Sequence, residues 1–180
     1  MAGRVTRPAL LSQGRQRMLG FAQAVTGLNR RLFSLTRWLV FVIAALMLFE
    51  VVSRYSFRLP SSWAPELATM LFGPFFLFGG PYLLHLGGHV AVDIISERAK
   101  GRLHRVLACV AALLALVFGA ILLWFSLPLA LQSYNYGETT YSAWNPPVWP
   151  VKAILPVAAL LLMLQALAEL VFALLAPETE

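Results

Sequence analysis

The residues whose types and spacing could do chemistry are ionisable groups set into or beside long apolar runs. Glu50 and Arg54 are four apart, so on a helix they share one face. An acid inside an apolar run is costly unless paired, and such a residue marks an ion path or a buried contact. Two readings stand for it: a local pair with Arg54, or a polar contact with a partner subunit. A proton relay finds no second deep acid nearby. Glu66, after Trp63-Ala64-Pro65, either complements the positive start of a helix, worth about 0.3–1 kcal/mol, or meets a partner. Gln165 and Glu169 repeat the four-residue spacing toward the end of the last apolar run, where an interfacial position accounts for them.

His85 and His89 are also four apart and could offer two imidazoles to a metal or a haem. Gly87-Gly88 between them weakens a shared helical face. A membrane cytochrome needs axial histidines from different spans, and the other three apolar runs contain none. Asp93 reads as the N-cap of a short helix that Gly101 ends. There is no phosphate-binding glycine loop, no Ser/His/Asp set and no pair of carboxylates at a useful separation. No catalytic residue, metal or cofactor is expected. Cys109, the one cysteine, has no partner for a disulfide and reads as a small hydrophobe.

The elements that position these groups follow from composition. The 180 residues are 59% hydrophobic and 12% charged, against about 45–50% and about 25% for a soluble domain. That surplus belongs in lipid. The formal charge of +6 does not point to nucleic acid, because seven of the 14 Lys and Arg residues (Arg4, Arg7, Arg15, Arg17, Arg30, Arg31 and Arg37) precede the first apolar run, as a membrane topology signal does.

A spanning helix needs about 20 mostly apolar residues. Four segments qualify, at about 35–57, 66–86, 106–131 and 151–175. The fold class is an all-α membrane protein: a basic tail over 1–34, a four-helix transmembrane domain over 35–176 and a short tail over 177–180. Gly73, Pro74, Gly79, Gly80 and Pro81 predict a kink or local unwinding in the second span, with small residues admitting a neighbouring helix. Pro128 and Pro156 sit similarly in the third and fourth.

Lys and Arg counts set the orientation. The N-terminal tail carries seven and the connection between spans two and three carries Arg98, Lys100, Arg102 and Arg105, whereas the opposite side has Arg54, Arg58 and Lys152. Both termini are therefore expected in the cytoplasm. Tyr55, Trp63, Tyr134, Tyr136, Tyr141, Trp144 and Trp149 gather at the expected outer interface and Trp38 marks the inner one, with Trp124 the exception deep in span three. Met18, Phe21, Val25, Leu28, Leu32 and Leu35 recur at steps of three and four, which predicts an amphipathic helix. Its basic face, with Arg17, Arg30, Arg31, Arg37 and Trp38 as candidate lipid-surface contacts, suits the cytoplasmic interface. Docking on protein is the equal alternative, and the two are compatible.

Three stretches together resemble the small membrane subunit, DctQ-like, of tripartite ATP-independent periplasmic (TRAP) transporters. They are Ser53-Arg54-Tyr55-Ser56-Phe57 leading to Ser62-Trp63-Ala64-Pro65-Glu66-Leu67-Ala68; Phe78-Gly79-Gly80-Pro81-Tyr82 leading to His89-Val90-Ala91-Val92-Asp93; and Pro147-Val148-Trp149-Pro150 leading to Leu155-Pro156. Two departures stand out. Family members often carry a second acid before Glu66 and an arginine soon after it, where this chain has Pro65 and Ala68-Thr69.

The resemblance implies a non-catalytic scaffold in the bacterial inner membrane. A large TRAP membrane subunit would hold the substrate and ion sites, and a periplasmic substrate-binding protein would deliver an organic acid. Candidate subunit-interface residues are Glu50, Arg54, Trp63, Glu66, Gly79, Gly80, His89 and Asp93. The rival reading is a membrane anchor or cytochrome-like subunit of a redox complex, resting on His85, His89 and the helix count.

Overall fold

The computed structural model describes residues 7–86 and 102–175, with side chains from residue 13 onward. His89 and Asp93, and the short helix expected after Asp93, lie outside the described residues. The described chain is all-α: α1 Arg7–Thr36, α2 Leu39–Ser56, α3 Ala64–Leu77, α4 Gly80–His85, α5 Arg102–Asn135 and α6 Trp149–Leu175. Four helical stretches, Gln13–Ser56, Ala64–His85, Arg102–Asn135 and Trp149–Leu175, are long and apolar enough to cross a membrane.

Two breaks have local causes. Thr36 Oγ1 donates back to the Leu32 carbonyl at 2.9 Å, a bond that competes with the helical ladder and bends helices. Trp38 N–H then bonds the Leu35 carbonyl at 3.2 Å, and the turn at Arg37–Trp38 divides α1 from α2. In the second span Pro81 has no N–H to return to Leu77 and its ring crowds that carbonyl. The helix opens over Phe78–Gly79, where the run of glycine and proline predicts a break.

The helices form an open row rather than a closed bundle. α6 is the hub, packing on α5, α1, α3 and α4; α2 packs on α3 and touches α1, while α5 leans on α6. The α5–α6 contact has a heptad basis: Ala112, Gly119, Ser126 and Ser133 are each seven apart and buried. Small side chains at that period let two helices approach closely along their length, which replaces the hydrophobic driving force missing in lipid. At Gly119 the approach is so close that a Cβ would stand 2.7 Å from Met163 Cγ. Trp124, 78% exposed, points away from α6.

Gly73 faces Val151 of α6 and Gly79 faces Phe33 of α1, so both serve contacts within the chain. Gly80 borders open space.

α1 docks on α6 through a small and partly polar face. Ala22 and Val25 are buried with Ala168 against Leu164, Val171 and Phe172. Contacts pair Arg15 with Leu175 and Asn29 with Gln165. Those pairs are separated by about 21 Å along α1 and about 15 Å along α6 at helical rise, so α1 crosses antiparallel and inclined. Phe21, Leu28 and Leu35, seven apart on the neighbouring flank, stay outward, and Arg17, Arg30 and Arg31 are exposed. The docking alternative for the amphipathic helix is therefore realised with the apolar stripe only partly covered.

Candidate functional site

Three polar clusters hold Glu50, Arg54, Glu66, His85 and Glu169, the described ionisable side chains that the sequence sets within or beside the spans. The first lies where α1, α4 and α6 meet. Asn29 Nδ2 donates to Gln165 Oε1 at 2.8 Å, both residues being buried. Gln165 Nε2 donates to Thr26 Oγ1 at 3.0 Å and to Glu169 Oε1 at 2.7 Å. Glu169 Oε1 also lies 2.6 Å from His85 Nδ1. In a low-dielectric interior each bond polarises the next, so such a chain fixes the packing of three helices. Asn29 Oδ1 is buried without a partner, an acceptor left over by the geometry. At the end of the same helix, Arg15 Nη2 donates to the Leu175 carbonyl at 2.7 Å and places its charge at the negative terminus of α6.

The second cluster is built on Glu50, 3% exposed. Arg54 reaches its Oε1 through Nε at 2.9 Å and Nη2 at 2.5 Å. Ser61 N–H donates to Oε2 at 3.0 Å, and the Ser61 hydroxyl bonds the same oxygen. One acid thereby ties α2 to the loop before α3. The loop needs this: Arg58 adopts a left-handed φ of 54°, and Ser53 Oγ holds the Leu59 carbonyl at 2.5 Å. Trp63 stacks obliquely on Phe49, with ring centroids 5.7 Å apart. Glu50 is thus satisfied within the chain, in the manner of the local-pair reading, while the Arg54 side chain remains half exposed.

The third cluster organises the connection between α5 and α6. Gly137 turns the chain at φ 58°, and a single antiparallel bridge pairs Thr139 with Pro147. Glu138 carboxylate and Lys152 ammonium are 2.5 Å apart. The Lys152 ammonium holds the Glu138 carboxyl below its ordinary value. Ser142 Oγ donates to Glu66 Oε2 at 2.6 Å, so Glu66 in the first turn of α3 also anchors this loop. Tyr141 has a left-handed φ of 55° and its N–H is held by Asn145 Oδ1 at 3.0 Å. Tyr134 meets Trp149 edge-on at 5.3 Å.

The structure brings together Glu50 with Arg54, Glu66 with the long loop, and His85 with Glu169. It does not gather these groups into one centre. Sequence reasoning treated Gln165 and Glu169 as interfacial and passed over Asn29 and Thr26. The available signal was their spacing from Ala22 and Val25, which puts all four on one side of α1. Arg37 lies 5.8 Å above the ring of Trp38, its neighbour at the turn. Among the described residues no group of three His, Cys, Asp or Glu side chains could hold a metal ion.

The fold and these clusters define a multi-pass α-helical membrane protein whose polar groups join helices and pin loops. Residues 30–175 match the family described as tripartite ATP-independent periplasmic transporters, DctQ component, and the chain belongs to that family. Comparison with curated proteins gives no match.

Proposed function

We infer that this chain is the non-catalytic scaffold of a TRAP transporter. It supports a large membrane subunit that takes up an organic acid, driven by an ion gradient, and its outer loops face a periplasmic substrate-binding protein. The observation that carries this reading, beside family membership, is the internal use of the ionisable side chains within the spans. Glu50 is consumed by Arg54 and Ser61, and Glu169 by Gln165 and His85. A transport path needs polar groups exposed to a cavity at mid-membrane, and these are spent on packing.

The basic end, with α1 and both termini, lies in the cytoplasm of the bacterial inner membrane, and the aromatic-rich loops at 57–63 and 136–148 lie outside. The docked α1 rests its Phe21, Leu28 and Leu35 flank in lipid, with Arg17, Arg30, Arg31, Arg37 and Trp38 at the headgroup level. Among the candidate interface residues, Arg54, Trp63 and Gly80 present free surface to the large subunit. Glu50, Glu66 and Gly79 act by holding that surface in shape. His89 and Asp93 belong to the same proposed interface.

The test is extraction in mild detergent followed by mass analysis and reconstitution. The chain should co-purify with a polytopic membrane protein of larger mass and transport nothing by itself in liposomes. Uptake of an organic acid by liposomes holding this chain alone would overturn the reading.

A further inference from the structure

The outer end of the α5–α6 pair contains a cleft of about 350 Å³ lined by Leu129, Gln132, Tyr136, Glu138, Tyr141 and Lys152. The geometry points to a binding site for a zwitterionic phospholipid headgroup of the ethanolamine class, its phosphate on Lys152 and its primary amine on Glu138.

Placement comes first. Leu129 belongs to the spanning part of α5 and is half exposed, so the lining includes one apolar side chain within reach of an acyl chain. Tyr134 and Trp149, packed edge-on at the same end of the α5–α6 pair, are the kind of amphipathic ring that sits at headgroup level. The cleft therefore opens at the boundary between lipid tails and water.

Charge comes second. Glu138 and Lys152 are paired, yet their side chains remain 36% and 26% exposed. An ammonium has three donors and a carboxylate has about four acceptor sites, so the contact between Lys152 Nζ and Glu138 Oε2, together with the Ser133 hydroxyl beside the same carboxylate, leaves capacity on both partners. Phosphate, Lys152, Glu138 and amine would alternate in sign around a ring of four charges. Their order along the membrane normal also fits. Lys152 stands in the first turn of α6, toward the membrane, while Glu138 stands in the loop beyond α5. In an ethanolamine lipid the phosphate lies nearer the tails and the amine farther out. An anionic glycerol headgroup has no cation to offer Glu138.

Shape comes third. Tyr141 is 87% exposed although its backbone is left-handed and locked by Asn145. A bulky residue held in that conformation costs energy and marks places where position matters more than local stability. Here it keeps an aromatic ring at the edge of the cleft that Tyr136 also lines, and an aromatic face can receive an ammonium group.

The experiment is native mass spectrometry of the full chain, with whatever membrane partner co-extracts, from nanodiscs of equal phosphatidylethanolamine and phosphatidylglycerol. Retained lipid should be phosphatidylethanolamine, and the charge-swapped double variant Glu138→Lys with Lys152→Glu should keep the ion pair and the melting temperature. With the order of charges reversed, that preference should fall by about tenfold, the scale of one or two charge-assisted hydrogen bonds. Tyr141→Ala, at an exposed position, should weaken retention without loss of fold, so the site stays testable if the swap fails to assemble. Equal retention of both lipids by the wild type would overturn the proposal. So would an unchanged preference in a folded swap variant, or photo-crosslinks from position 141 that reach only protein. These outcomes do not depend on whether the chain serves a transporter.

Discussion

Asn29 of α1 donates a hydrogen bond to Gln165 in the body of α6, across 136 positions of sequence. The bond sets where the N-terminal helix crosses the hub helix, because both side chains are fully covered there. Removing one partner strands the other in a dry contact.

Gln165 also donates to Thr26 and Glu169, so its loss breaks more than its pair with Asn29. Gln165→Leu should cost about 1–3 kcal/mol, and Asn29→Leu less, because Asn29 already carries an unpartnered oxygen. The check is thiol labelling of Ala22→Cys in a Cys109→Ser background. Position 22 should be protected in the parent and open to reagent when Gln165 is replaced. Equal protection in both would mean that apolar packing alone docks α1.

Gly119 predicts the cost of widening the α5–α6 seam. Met163 can rotate away from one added methyl, so Gly119→Ala should lose about 1 kcal/mol, near the lower end for overpacking. Gly119→Leu cannot be absorbed in this way and should separate the helices. Melting temperatures in detergent would rank wild type above alanine and alanine above leucine, and Met163→Ala should partly rescue the alanine variant. A leucine variant that melts with the wild type would show that the seam is looser than the 2.7 Å approach requires.

Glu50 offers a graded test of loop pinning. Glu50→Gln keeps an acceptor for Ser61 but loses the charge that holds Arg54, and Glu50→Ala loses both. Protease nicking in the loop between α2 and α3 should rise from wild type to glutamine to alanine. If nicking is the same in all three, the left-handed turn at Arg58 suffices and the acid has another purpose.

The spans were legible because length and hydropathy are one-dimensional properties: a run of about 20 apolar residues spans lipid whatever its neighbours are. The break at Phe78–Gly79 was legible for a similar reason, since Pro81 acts on its own helix. The docked face of α1 was not, because the Met18 to Leu35 stripe records where large apolar residues lie, whereas Ala22, Thr26 and Asn29 were selected by what α6 presents. The heptad Ala112, Gly119, Ser126 and Ser133 was readable in principle but is quiet in a helix whose large side chains dominate the pattern. Glu50 was found by its cost in lipid. Its second partner, Ser61, lies eleven residues away through a loop whose path no periodicity gives.

The ion pair at the aromatic end carries a pH dependence of definite sign. Lys152 depresses the folded-state value of Glu138 below 4.5. A carboxyl with a depressed folded value binds fewer protons in the folded state, so its contribution to stability is complete above the unfolded value and is lost as pH falls through the folded one. Melting temperature should therefore be flat in Glu138 above about pH 6 and fall on acidification below about pH 4.5. Glu138→Gln should lower the melting temperature at neutral pH and flatten the acid limb, and the two proteins should converge under acid conditions. A parallel acid limb in the variant would assign that loss of stability to other carboxylates and leave the Glu138 to Lys152 contact without a share in it.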